Sequence, residues 1–245
     1  MKKRCLLIIF FLSLFWLIPS YANAQADVHL SVFKEAKKKI SIAVPDFLVT
    51  EIFESGDASA VEGADILKND LNLSGMFDII NPLKANHINR LDLNEDAVHY
   101  LEWEDLGAHA VIKGEYTATE KEITFKLSLY DIVNGRYLVG KLYRGQKSHL
   151  RQIIHKFADE TVFQLTNEAG IAQTKISFVS FESGHKELFV IDYDGYEKSL
   201  KQYSTERSLV LFPAWSSDGK KIAFTSYKNN NPILQVVSLE NKKNK

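Results

Sequence analysis

The sequence holds a single cysteine, Cys5, near its start. No disulfide can therefore form within the chain, and an oxidising compartment would place no such demand on the fold. Long apolar runs are also scarce. The one clear case, Leu6 to Ile18, covers about 13 residues, short of the roughly 20 that a membrane-spanning helix needs. Lys2, Lys3 and Arg4 precede it, Pro19 and Ser20 interrupt it, and Ala22-Asn23-Ala24 supplies small residues at a cleavage site. This is the pattern of a secretory signal peptide, with cleavage expected after Ala24. A membrane anchor is the alternative, and the run is too short for it. Cys5 stands too early to be the lipid-bearing cysteine of a lipoprotein signal. A soluble protein of a bacterial periplasm is expected, with secretion from a eukaryotic cell as the alternative.

An excess of charge of either sign is missing as well. Thirty Lys and Arg face 31 Asp and Glu. Three of the basic residues belong to the leader, so its removal leaves 27 against 31, a net charge of −4. The run Lys34–Lys39 and the terminal lysines form no basic stripe, which argues against nucleic acid as a partner. The run itself reads as a solvated loop.

Catalytic signatures are absent too. There is no H-E-x-x-H, no G-x-S-x-G and no P-loop. His149 and His155 lie six apart, off the i,i+4 face that metal pairs use, and read as surface residues. Asp192 and Asp194 in DYDG resemble the start of a calcium loop, but the following residues lack its other ligands, so a hairpin turn is expected. Trp103 and Trp215 read as core residues. No metal or cofactor is expected.

What is present divides near residue 172. Before it, strands alternate with helices. DVHLSV (27–32) alternates, and KISIAVPDF (39–47) is a β-branched run in which Pro45 opposes a central, fully paired position. Residues 58–73 form a helix with Ser55 or Asp57 as N-cap and Gly75 after its end. MFDII (76–80) is a strand and residues 95–106 are helical. HAVIKGEYT, EITFKLSLYD and RYLVGKLYRG are three strands, the last two joined at Asn134-Gly135. A closing helix capped by Ser148 carries an apolar stripe of Leu150, Ile153, Ile154, Phe157, Ala158, Val162 and Leu165.

After residue 172 only strand and turn signals remain. KISFVS (175–180) recurs as KIAFTS (221–226), an offset of 46 residues. ELFVIDYDG follows the first copy and ILQVVSLEN the second, while KSLKQYS (198–204) and LVLFPAWSSDG (209–219) complete the first. Four short strands in a period of about 40–50 residues mark a propeller blade. In this reading the SSDGKK turn links the outer strand of one blade to the inner strand of the next. Asp218 caps the turn and Gly219 supplies its positive φ.

PAWSSDGKKIAFTS resembles the PD40 class of WD40-like repeats, with Ser217 where that class usually has proline. The order DVHLSV, ISIAVPDF, DILKNDLNLSGMFDIINP, WEDLGAHAVIKGEYT, and then the repeat region with ELFVIDYDGYEKSLKQYS, is similar to the TolB family of the Tol-Pal envelope system. The resemblance implies a periplasmic, non-catalytic scaffold in which an α/β domain (25–172) precedes propeller repeats (173–245). It implies docking on inner-membrane TolA through the mature amino terminus, here Gln25, Ala26, Asp27, Val28, His29, Leu30, Ser31 and Val32. It also implies binding of the outer-membrane lipoprotein Pal by the propeller, although no residue carries over for that contact. DVHLSV could equally complete the protein's own sheet. A ligand-binding or sensor propeller, or the gating propeller of a prolyl-peptidase-type hydrolase, are the alternatives. Only about one and a half blades are counted, so an incomplete copy is expected. Residues 173–245 should then be labile, with Ile222, Phe224, Val236 and Leu239 on a partly uncovered sheet.

Overall fold

The computed structural model describes residues 38–52, 56–95 and 97–240. The expected docking strand 25–32 and the cleavage residues Ala22 and Ala24 lie outside the described residues.

The first half is built on one mixed sheet. Its strands are β1 (Ile40–Ala43), β2 (Leu48–Glu51), β3 (Phe77–Ile79), β4 (Ala110–Ala118), β5 (Ile123–Asp131) and β6 (Arg136–Gly145). The order is β3-β1-β4-β5-β6, with β2 also paired to β4. β1 runs parallel to β3 and β4, and the β4-β5-β6 meander is antiparallel. KISIAVPDF is shorter as a strand than the sequence predicts. The ladder on β4 stops at Ala43 and resumes at Leu48. Pro45, which has no N–H to give, sits in the gap.

Helix α1 (Ser59–Leu73) starts where expected: the Asp57 carboxylate accepts the Ser59 N–H at 2.9 Å. Gly75, at φ +73°, closes its end. The next region departs from the sequence reading. In place of one helix at 95–106 there are two, α2 (Pro82–Glu95) and the short α3 (Tyr100–Asp105). Asn81 begins α2 by accepting the Leu83 N–H, and Pro82 occupies a first-turn position where a missing N–H costs nothing. Helix α4 (Leu150–Thr166) follows a short 3₁₀ turn at Lys147–His149, and no side chain caps it, Ser148 included. It ends at Asn167 in the left-handed conformation.

Alternation along β4 and β5 sends side chains to both faces of the sheet. One face buries Ile112, Tyr116, Phe125, Leu127 and Leu129 against Leu67 and Leu71 of α1 and Ile154 and Phe157 of α4. The other buries Val111 and Ala43 against Ala85, Ile88 and Trp103. Each large side chain fully withdrawn from water contributes about 1.5–3 kcal/mol. Gly114 lets the chain after β1 fold over the sheet, because a Cβ there would stand 2.4 Å from the Phe47 ring.

The second half has two antiparallel sheets of three described strands each. The first is β7 (Lys175–Ser180), β8 (Glu187–Asp192) and β9 (Lys201–Gln202); the second is β10 (Val210–Trp215), β11 (Lys221–Ser226) and β12 (Ile233–Ser238). The fold class expected from the sequence is observed: a mixed sheet with helices, then antiparallel sheets, with no closed barrel among the described residues. The phase of the repeat differs. β10 pairs with β11, so the SSDG turn is a hairpin inside one sheet and not a link between two. Asp218 still caps it, accepting from Ser216 Oγ and the Lys220 N–H. The loop between β9 and β10 is tied to the first sheet by buried Glu187, whose carboxylate accepts from Ser204 Oγ and from the Glu206 and Arg207 N–H groups.

The two sheets share a core of Leu188, Val190, Val210, Ile222 and Phe224. Ile222 and Phe224, expected on an uncovered face, are buried because β11 turns them toward β8. Leu239 is partly buried, and of the four only Val236 stands exposed, at 62%. Trp215, expected in the core, is 36% exposed at the end of β10.

Candidate functional site

A buried cluster of charged groups joins the α/β layer to the first antiparallel sheet. Three elements meet there. Helix α1 supplies Asp70, α4 supplies Arg151 and His155, and the turn after β8 supplies Asp194. The DYDG turn forms as the sequence predicts: Gly195 takes φ +74° and Asp194 Oδ1 accepts the Tyr196 N–H at 3.1 Å. This leaves Oδ2 of Asp194 facing α4, where it pairs with the Arg151 guanidinium. The same guanidinium lies 3.9 Å above the Tyr196 ring, a favourable cation–π geometry. Tyr193 adds a hydrogen bond from its hydroxyl to the Leu73 carbonyl at 3.1 Å, reaching the end of α1.

His155 lies behind this pair and is only 6% exposed. It was expected at the surface; the structure instead turns it inward onto Asp70 of α1, on the helix face it shares with Arg151 four residues earlier. Its Nδ1 is 2.7 Å from Asp70 Oδ2, and its Nε2 is 3.9 Å from Asp194 Oδ2. His155 Nε2, Asp70 Oδ1 and Arg151 Nε are buried without a hydrogen-bond partner. Burial pushes the Asp70 carboxyl above its ordinary value, and the neighbouring His155 and Arg151 offset only part of that rise.

The three groups Asp70, His155 and Asp194 are near enough to hold a cation. The surrounding chemistry opposes one. Asp70 is committed to Nδ1 of the imidazole, and a guanidinium already neutralises Asp194. The arrangement is a charged clasp. Below it, Asp159 fixes the connecting segment by accepting from the Ala172 N–H at 2.7 Å and from Gln173 Nε2 at 2.9 Å. Gly170 passes so close to α4 that a Cβ there would stand 2.4 Å from the Asp159 Cα.

A second buried charge anchors the opposite face. Asp92 on α2 accepts from the His99 N–H, the Trp103 indole and Lys113 Nζ at 2.8, 2.8 and 3.1 Å. Burial alone would raise this carboxyl, but the donors outweigh it and hold it below the usual carboxylate range. Trp103 is therefore the core residue the sequence predicts, with its polar edge satisfied. Spacing along one helix gives no sign that His155 is buried. The signal for His155 lay 85 residues away, in Asp70.

The chain matches the TolB amino-terminal domain family over residues 28–138. It is 33% identical over 242 residues to the Tol-Pal system protein TolB of Desulfosudis oleivorans, covering 98% of this chain and 53% of that one. Its identity to the Tol-Pal system protein TolB of Geobacter sulfurreducens is 32% over 205 residues, 83% of this chain and 46% of the relative. The crystal structure of TolB from Acinetobacter baumannii superposes with a TM-score of 0.65 at 24% identity, over 82% of this chain and 47% of that one. That likeness shows a shared fold. The chain spans about half the length of the curated relatives it matches. Residues 28–138 match the TolB amino-terminal domain, and the resemblance to TolB proteins of the Tol-Pal system runs along nearly the whole chain.

Proposed function

We propose that this protein is a periplasmic adaptor of the Tol-Pal envelope system, working by binding and not by catalysis. The observation that carries this reading is the similarity to Tol-Pal system proteins over 98% of the chain. The leader is proposed to be cleaved after Ala24, which amino-terminal sequencing of the secreted protein would show directly. Residues 25–172 then form a docking domain and residues 173–245 carry propeller-type sheets. The docking segment is proposed to be Gln25 to Val32, an alternating strand able to add to a partner's sheet edge. Its partner is TolA at the inner membrane, and Pal at the outer membrane is the partner proposed for the propeller. Co-purification with the carboxy-terminal domain of TolA tests the first contact. Deletion of residues 25–32 should abolish it while leaving the body folded. Unchanged capture by the deleted protein would overturn the assignment.

A further inference from the structure

We infer that the polar stretch of the mixed sheet, on the face opposite α1 and α4, is a binding site for a neutral, hydroxyl-rich ligand, a short saccharide. On that face Val111 is buried against Trp103. The cross-strand pairs that follow it along β4 and β5, on the same side of the pleat, are Lys113 with Ser128 and Glu115 with Lys126. An apolar face thus turns polar within one sheet. These residues floor a cavity of about 430 Å³, with Asn89 and Asp92 of α2 on one side and Tyr130 and Tyr137 on the other. Small-molecule sites commonly measure about 300–1,000 Å³.

The lining selects its ligand by charge. Lys113 pairs with Asp92 at 3.1 Å and Lys126 with Glu115 at 2.7 Å, so both signs are present and balanced. An ion of either sign would have to displace one of these partners. A neutral ligand would not. Donors and acceptors are also mixed. Lys113 spends one N–H on Asp92 and has others to give. Asn89 is only 8% exposed, and its Oδ1 has no hydrogen-bond partner among the described residues. A sugar hydroxyl donates and accepts, so one kind of group serves both, and a proton given to Asn89 Oδ1 satisfies a buried orphan. The tyrosines supply the apolar half of the match. Tyr130 and Tyr137 meet edge to face with ring centroids 5.5 Å apart, and Tyr137 stays 55% exposed. Gly140 makes the seat for that ring, because a Cβ there would run into the Tyr137 hydroxyl. An aromatic surface at the rim of a polar cavity suits a pyranose, which carries C–H faces between its hydroxyls.

Titration of the isotope-labelled full chain with cellobiose, followed by amide NMR shifts, reads the site residue by residue. Cellobiose is neutral, and its equatorial hydroxyls leave flat C–H faces. Saturable shifts are expected at Lys113, Glu115, Ser128 and Tyr137, with the α4 amides of Ile154 and Phe157 unmoved. Tyr137→Ala, a change at an exposed side chain, should weaken binding on the order of tenfold while the rest of the spectrum is kept. Two charged dimers of similar size test the charge argument on the unaltered protein. The cationic chitosan dimer and anionic digalacturonate should each bind more weakly than cellobiose. No saturable shift by about 10 mM cellobiose would overturn the inference. So would shifts centred away from β4 and β5, a charged dimer that binds as well as cellobiose, or a folded Tyr137→Ala variant with unchanged affinity.

Discussion

Asp57 receives three donors at the start of α1: the Ser59 N–H, the Tyr116 hydroxyl at 2.8 Å and Lys147 at 3.2 Å. Burial alone would raise its carboxyl, but these partners outweigh it and hold the value at about 2. A depressed folded value means stability that is present above the unfolded value, 3.8, and lost as pH falls toward about 2. Acid unfolding followed by circular dichroism should show this, with Asp57→Asn less stable at neutral pH and flatter across that acid limb. Arg151 belongs to a different class from the surface cations. Its partner Asp194 has a side chain only 3% exposed, so Arg151→Ala leaves a buried carboxylate unpaired and should cost about 3 kcal/mol in chemical denaturation. Lys126, paired with Glu115 where both side chains are over 40% exposed, should cost below about 1 kcal/mol when replaced by alanine.

At the scale of elements, legibility followed periodicity. β4 and β5 alternate over nine residues, β6 is marked by the Asn134-Gly135 turn before it, and all three end within a residue of where the sequence puts them. The apolar stripe of α4 was read in full, with Leu165 only partly buried. Helix α2 escaped because its buried face is half polar. Asn89 and Asp92 take positions where apolar residues would mark a stripe, while Leu83 is 80% exposed. The clasp escaped for another reason: its members come from α1, α4 and a turn, and only the fold brings them together. The connecting segment 167–174 tests the role of close approach. Gly170→Ala must displace the α4 backbone or the segment itself, and should open the segment to proteases. Limited proteolysis with mass spectrometry would locate new cuts between residues 167 and 175; an unchanged digestion pattern would contradict the packing described.

For the molecule as a whole, the contrast between covered and bare apolar surface matters most. Ile222 and Phe224 have a partner sheet, but Leu234 at 74%, Val236 at 62% and Phe212 at 75% do not. Among the described residues β12 pairs only with β11. Exposed apolar side chains grouped on one sheet favour association. The double variant Leu234→Lys, Val236→Lys should keep the protein folded and lower its concentration-dependent association in sedimentation. Equal association of the two proteins would place the sticky surface elsewhere.

The register of the hairpin has one more consequence. Because Pro213–Ser226 lies within a single sheet, the seam between successive sheets falls in the β9–β10 loop, where buried Glu187 grips the Glu206 and Arg207 amides. A genetic duplication or a grafted module copies a working unit only if its joints fall at that loop. Breaking the gene at the conspicuous SSDG motif would split a β-hairpin and hand each daughter unit half of it. The signature easiest to find by eye is thus the wrong place to cut, and the plain stretch near residue 206 is the right one.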